Sequence, residues 1–328
     1  MTSRPRPRTK EIIDPSYPLL EVNRESIQSI RKESFNYGLS DRHQLDVYYP
    51  TSPITSFPLP DVKANLCPIL LFLYGGGLTR GSRSGPSPPS DLVHANLGAY
   101  FASQGFITVI PDYRLAPSIA FPQGSEDVRD ALIWTSEHAG ELQVPGDPDS
   151  LFLLAHSAGG LHAAGLLLTP ELLSSVECHV RIRGVVFVGV PFEISPERRE
   201  FFKVATAYYG NGNPALVKMR DPLGLLIRTP LEYVEDHLPP VYNLRAGSEP
   251  KQIARAVRTF TKALEAKGGN VVEGVLEGHD HLSPILALSS GSGEEWAEEM
   301  IEWMKSCYTS TLVKNTAADN HEEGSGTT

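Results

Sequence analysis

The sequence predicts an α/β protein with a mostly parallel central sheet covered by helices on both faces. Three observations carry this. Short apolar runs of strand length alternate along the middle of the chain with stretches of helical period. The runs are almost continuously apolar instead of alternating, as expected for strands buried on both faces. The 328 residues, 41% hydrophobic and 21% charged, are broken by no long Gly/Ser or Pro linker, so one core is expected.

The strand runs are Pro68 to Tyr74, Phe106 to Pro111, Leu151 to Ala155, Gly184 to Val190, Val241 to Ala246 and, last, Val271 to Leu276. Leu45 to Tyr49 alternates and is closed by Pro50, which suits an antiparallel edge strand. Helical spacing runs over Glu126 to His138, Gln252 to Lys267 and Glu294 to Lys305, and the small, apolar Gly160 to Leu168 reads as a buried helix. Residues 194–238, rich in Pro, Arg, Tyr and Gly between two strands, break the rhythm and are expected to form a small cap insertion. The organisation is therefore a flexible arm over 1–24, one domain over 25–308 and a disordered tail over 309–328.

A net charge of −10 argues against a general nucleic-acid binder, and the basic cluster Arg4, Arg6, Arg8 and Lys10 is expected to be a solvated terminus. No apolar run approaches the roughly 20 residues of a membrane span, and the first residues lack a secretory apolar core, so a cytoplasmic protein is expected. Cys67, Cys178 and Cys307 have no metal-type spacing and read as free thiols. No heptad marks an oligomer interface, so no oligomeric state is assigned.

The stretch LFLLAHSAGGLHAAGLLL joins a strand run to a helix through a small-residue turn that holds Ser157. A serine hydroxyl becomes a useful nucleophile when it is lifted clear of a sheet, set at a helix start and met by a base. Tyr74-Gly75-Gly76-Gly77 follows another buried strand, and its glycines leave backbone N–H groups open to close approach. Gly76 and Gly77, with the N–H of Ala158, are the candidate oxyanion hole. No P-loop lysine follows, which disfavours a phosphate cradle. A base is expected after the last strand, where His279 and His281 stand in Gly278-His279-Asp280-His281; spacing alone does not choose between them. The acid that orients the base belongs between nucleophile and histidine at a strand end. Glu249 fits, with Asp221 and Asp236 as weaker candidates. Neither a metal nor an organic cofactor has a motif here.

From Tyr37 to Trp303 the chain resembles the hormone-sensitive-lipase-like branch of the α/β hydrolases and the related kynurenine formamidases. Besides the glycine loop and the serine turn, Pro111-Asp112-Tyr113-Arg114-Leu115-Ala116-Pro117 is similar to a stretch of the lipase-like branch that supports the catalytic loops. The resemblance implies structural roles for Asp112 and Arg114. Asp280-His281-Leu282 resembles the Asp-His-Phe of formamidases, which selects His281. Gly247-Ser248-Glu249-Pro250 resembles the family's Gly-x-x-Asp-Pro turn, one residue shorter and with Glu for Asp. Two further departures stand out: Tyr74 replaces the histidine that opens the lipase-like glycine motif, and Ala155 replaces the first glycine of the serine motif. His156 resembles the formamidases. The resemblance implies a serine hydrolase that cleaves a small carboxylic ester through an acyl-enzyme, using Ser157, His281 and Glu249. An aryl formamidase acting on N-formylkynurenine is the alternative, and a non-catalytic α/β-hydrolase-like binding protein the second. The expected partner is a small-molecule ester or amide.

Overall fold

The computed structural model describes residues 17–51, 66–85 and 90–307. The basic cluster at the start and the tail from 309 lie outside them. Eight strands form one sheet in the order β1-β2-β4-β3-β5-β6-β7-β8: β1 (Lys32–Asn36), β2 (Gln44–Tyr48), β3 (Cys67–Leu73), β4 (Ile107–Pro111), β5 (Gly146–His156), β6 (Ile182–Val188), β7 (Val241–Ala246) and β8 (Val271–Leu276). β1 and β2 pair antiparallel, as do β2 and β4, and every pairing from β4 through β8 is parallel. Every residue of β3 and β4 is buried, which is why their sequences are apolar without alternation.

Leu45 to Tyr49, expected at the edge, instead lies one strand in, and β1 is the edge. β1 reads KESFN with a single apolar residue, Phe35, and its side chains are alternately exposed and half-buried, so it carries no apolar signal. Residues 17–24, expected to belong to the arm, are helical apart from a turn at Asn23. Helices α1 (Tyr17–Val22) and α2 (Arg24–Ser29) occupy its last residues, because Leu20 and Ile27 bury against Leu92 and Ala99, and Arg24 pairs with Asp91 at 2.7 Å.

The sheet is covered by α3 (Ala95–Ser103), α4 (Gln123–His138), α5 (Ala158–Leu167), α6 (Pro170–Glu177) and, after the cap, α11 (Lys251–Glu265), the short α12 (Ser283–Ala287) and α13 (295–307). α5 is buried along its whole length, as its small apolar sequence requires. The cysteines form no disulfide; Cys67 and Cys307 are buried, and Cys178 is exposed.

Between β6 and β7 the chain forms four helices, α7 (Arg199–Gly210), α8 (Pro214–Arg220), α9 (Pro222–Arg228) and α10 (Leu231–His237), all inside the stretch expected to be an insertion. They join the domain core through Ala205, Val217, Leu226 and Val234, and polar contacts fix them on it. The Tyr208 hydroxyl lies 3.2 Å from His162 Nδ1 and accepts from the Gly124 N–H at 3.3 Å, and the Tyr233 hydroxyl donates to the Leu167 carbonyl at 3.2 Å. Asp221, considered as a triad acid, instead caps α9 and ties the insertion to its own entry, accepting from Gly224 N at 2.8 Å and Ile194 N at 3.1 Å.

Burial raises the Asp221 carboxyl to about 6 despite those two donors, with Glu193 adding to the shift and Arg228 opposing it. An acid raised in the folded state costs stability as pH climbs from the ordinary carboxylate range through the folded value; the rise from 3.8 to about 6 corresponds to about 3 kcal/mol. Urea unfolding at pH 4.5 and 7.5 should therefore show the wild type losing stability relative to Asp221→Asn between the two values. A constant difference between them would contradict this account.

Candidate active site

Ser157 sits between β5 and α5 at φ 51°, ψ −120°, a backbone region that side chains rarely adopt. The turn is as sharp as it is because its neighbours are small. A Cβ on Gly159 would lie 2.3 Å from the Leu73 carbonyl oxygen and 2.5 Å from that of Tyr74; one on Gly160 would meet Val190 at 2.2 Å. Helix α5 thus packs directly onto the end of β3. Ala155, where the family motif has glycine, is fully buried inside β5, paired with Leu73 and Phe187, and its methyl group is accommodated there.

The hydroxyl of Ser157 lies 2.9 Å from His281 Nε2, and His281 Nδ1 lies 2.5 Å from Glu249 Oε1. A carboxylate only accepts, so Nδ1 carries the proton and Nε2 presents its lone pair to the serine. The Glu249 side chain is 1% exposed, against 22% for His281. Its second oxygen accepts from Ala246 N at 3.2 Å. The extra methylene of Glu over Asp carries the carboxylate to the imidazole from a turn one residue shorter. Gly189, at φ 59°, leaves room for the pair: a Cβ there would lie 2.9 Å from Glu249 Oε2 and 3.0 Å from His281 Nδ1.

The structure brings His281 and not His279 to the serine. His279 points toward Ser283, with Nδ1 3.1 Å from its hydroxyl, and its carbonyl accepts from Ser248 N at 2.9 Å. Asp280 shapes the turn, its Oδ1 accepting from Leu282 N and Ser283 N, both at 3.0 Å. Asp236 lies in α10 of the insertion.

Gly76 and Gly77 lie just after β3, at φ 144° and 64°. At Gly76 any side chain is forbidden, since a Cβ would fall 1.9 Å from the Arg80 carbonyl oxygen, whereas a Cβ on Gly77 would point into open space. Ala158 is the first residue of α5, so its N–H has no acceptor within the helix and meets the helix dipole's positive end. Gly76 and Gly77 after β3 and Ala158 after β5 thus stand at the same ends of two neighbouring parallel strands.

Tyr74 braces this loop in place of the family's histidine. Its ring stacks on Tyr113 at 4.7 Å and on His94 at 5.3 Å. Its hydroxyl donates to Asp112 Oδ1 at 2.7 Å and accepts from Arg42 at 2.8 Å, while its carbonyl accepts from the Tyr113 hydroxyl at 2.5 Å. Asp112 also takes two bonds from Arg83, through its backbone N–H and Nη1, both 2.6 Å, and Arg83 reaches Asp46 at 2.9 Å. Arg114 pairs with the fully buried Asp127 at 2.6 Å. Asp112 and Arg114 therefore lie in the supporting framework. Sequence reasoning missed Arg42, Arg83 and His94, which carry no local motif and meet the site only through the fold.

Two surface cavities lie away from this constellation. One of about 460 Å³, lined by Asp149, Arg181 and Ile182 among others, is at the starts of β5 and β6, the opposite end of the sheet from Ser157. Another of about 310 Å³ lies between α2, β1 and β2.

The BD-FAE family model matches residues 56–180. Carboxylesterase NlhH of Mycobacterium tuberculosis is 37% identical over 108 residues, 33% of this chain and 31% of that protein. The probable carboxylic ester hydrolase LipM of the same organism is 34% identical over 113 residues, 34% of this chain and 24% of that one. Non-reducing polyketide synthase stbA of Stachybotrys bisbyi is 32% identical over 157 residues, 46% of this chain but 6% of the synthase. The chain thus spans less than a third of the length of these relatives. Among solved structures, phosphonate-inhibited esterase B of Lactobacillus rhamnosis superposes with a TM-score of 0.68 at 18% identity, over 94% of this chain and 97% of that one. Carboxyl esterase 2 of Tuber melanosporum gives 0.63 at 17%, over 85% and 87%.

Two substitutions probe the geometry. Gly189→Ala should push Glu249 from His281 and lower reactivity of the serine by about 10- to 100-fold, read as the rate of covalent labelling. Tyr74→Phe should destabilise the fold by about 1–3 kcal/mol in urea unfolding, because Arg42 and Asp112 lose their shared hydroxyl. The chain has the α/β-hydrolase fold of these esterase structures, and over about a third of its length it is similar in sequence to carboxylesterases.

Proposed function

We propose that the chain is a serine carboxylesterase that cleaves a small carboxylic ester through an acyl-enzyme. The observation that carries the reading is the continuous line Ser157 Oγ, His281, Glu249, at 2.9 and 2.5 Å, on a serine held in a strained turn. The carboxylesterase names of the sequence relatives support the choice of ester.

In the proposed cycle His281 Nε2 takes the Ser157 proton as Oγ attacks the substrate carbonyl. The oxygen becomes an oxyanion facing the N–H groups of Gly76, Gly77 and Ala158. Glu249 holds the imidazole in the Nδ1–H tautomer and stabilises the imidazolium. That imidazolium returns the proton to the leaving alcohol as the carbonyl re-forms, leaving the acyl group on Ser157. Water attacks the acyl-enzyme with His281 again as base, and the acid is released as the serine regains its proton. The four-helix insertion enters the chain a few residues after Gly189, which packs against Glu249 and His281, and so stands where it can shape acyl-chain selection.

Labelling with a fluorophosphonate, followed by turnover of a series of acyl esters and of N-formylkynurenine, tests the reading. The wild type should label and hydrolyse short acyl esters, and Ser157→Ala should lose labelling and about 10⁴-fold or more in kcat. Faster hydrolysis of N-formylkynurenine than of any ester would make the chain a formamidase. A folded wild type that neither labels nor turns over would make it a binding protein.

A further inference from the structure

His156 precedes the nucleophile and touches both catalytic loops. It is 5% exposed, and its Nε2 lies 2.8 Å from the backbone carbonyl oxygen of His281. A carbonyl only accepts, so Nε2 is the protonated nitrogen and donates. Burial pushes the imidazole down to about 3, with the neighbouring His281 adding to the shift, so the ring is neutral near neutral pH. The opposite edge of the ring lies against the glycine loop, where a Cβ on Gly75 would come within 2.9 Å of Nδ1. The ring centroids of His156 and His281 are 5.0 Å apart.

His281 has its imidazole fixed at both nitrogens, by Glu249 and Ser157, but those bonds hold the ring and not the backbone that carries it. The turn before it is held by Asp280, whose bonds go to residues 282 and 283. His156 supplies the donor to the carbonyl of residue 281 itself. A ring wedged between Gly75 and that carbonyl also sets the spacing between the loop carrying the oxyanion donors and the loop carrying the base.

We infer that His156 is a positioning residue: by donating Nε2–H to the His281 carbonyl while packing on Gly75, it fixes the distance between the general base and the oxyanion loop. The inference rests on the reading of His281 as base. It ties His156 to the shared geometry of the site, and assigns it no contact with the substrate.

Two variants separate the N–H from the shape of the ring. Glutamine can place an amide N–H close to the position of Nε2; leucine cannot. His156→Leu should lower the fluorophosphonate labelling rate and kcat by about 10- to 100-fold with KM little changed, and His156→Gln should remain within about threefold of wild type. Amide hydrogen exchange gives a readout that needs no turnover: the peptide spanning 279–283 should exchange faster in His156→Leu and at the wild-type rate in His156→Gln. Wild-type behaviour of His156→Leu in both measurements, or equal impairment of the two variants, would overturn the inference. A wild type that fails to label would sink the proposed function instead, and the exchange comparison would still decide on His156.

Discussion

The positive φ of Ser157 is the constraint on which the rest of the site depends. Holding a residue with a side chain there costs on the order of 1–3 kcal/mol, and the surrounding structure must over-determine it. It does so through contacts that admit no Cβ: Gly159 against two carbonyls at the end of β3, Gly160 against Val190, and Gly75 against the Ser157 Cβ at 3.0 Å. The Ser157 N–H donates to Val188 O at 2.9 Å, which locks the turn to the end of β6. The serine is thus held by β3, β5 and β6 together, and the glycine loop and the turn bearing His281 are fitted around it.

A second layer of constraint is electrostatic. Asp112 lies just beyond β4, with its carboxylate nearly buried, and it is satisfied by Arg83 and Tyr74. Arg83 in turn neutralises Asp46 of β2. Removing one member of such a cluster strands the others in a medium where an unpaired charge is expensive. The glycine loop is therefore braced by an ion-pair network that reaches back into the antiparallel strands. The hydroxyl and stacked ring of Tyr74 join the loop to that network, and this explains how the loop dispenses with the family's histidine.

Much of this was legible in the sequence, because buried parallel strands advertise themselves: β3, β4, β6 and β7 fall within a residue or two of their apolar runs. Ser157 and the glycine loop were legible as breaks of small residues at strand ends. β1 was not, since an edge strand half open to water needs no apolar run. Arg42, Arg83 and the contact of His156 with the His281 carbonyl were invisible for another reason. Their partners lie 29 to 125 positions away, and pairings at that range leave no periodic trace. Glu249 was legible from its turn, but only the three-dimensional path of the turn explains why the longer carboxylate is the one that fits.

The insertion of α7 to α10 departs from β6 and returns to β7, two strands that pair in parallel register from Val185 with Val241 to Val188 with Leu244. The sheet closes the excursion whatever lies within it. Closing a longer loop adds only about 0.6 kcal/mol for each doubling of its length, and Ser157, Glu249 and His281 all lie outside the segment. Tyr208, Val217, Leu226 and Val234 of these helices are nonetheless buried in the domain core, so the segment can vary at its surface turns and not at those positions.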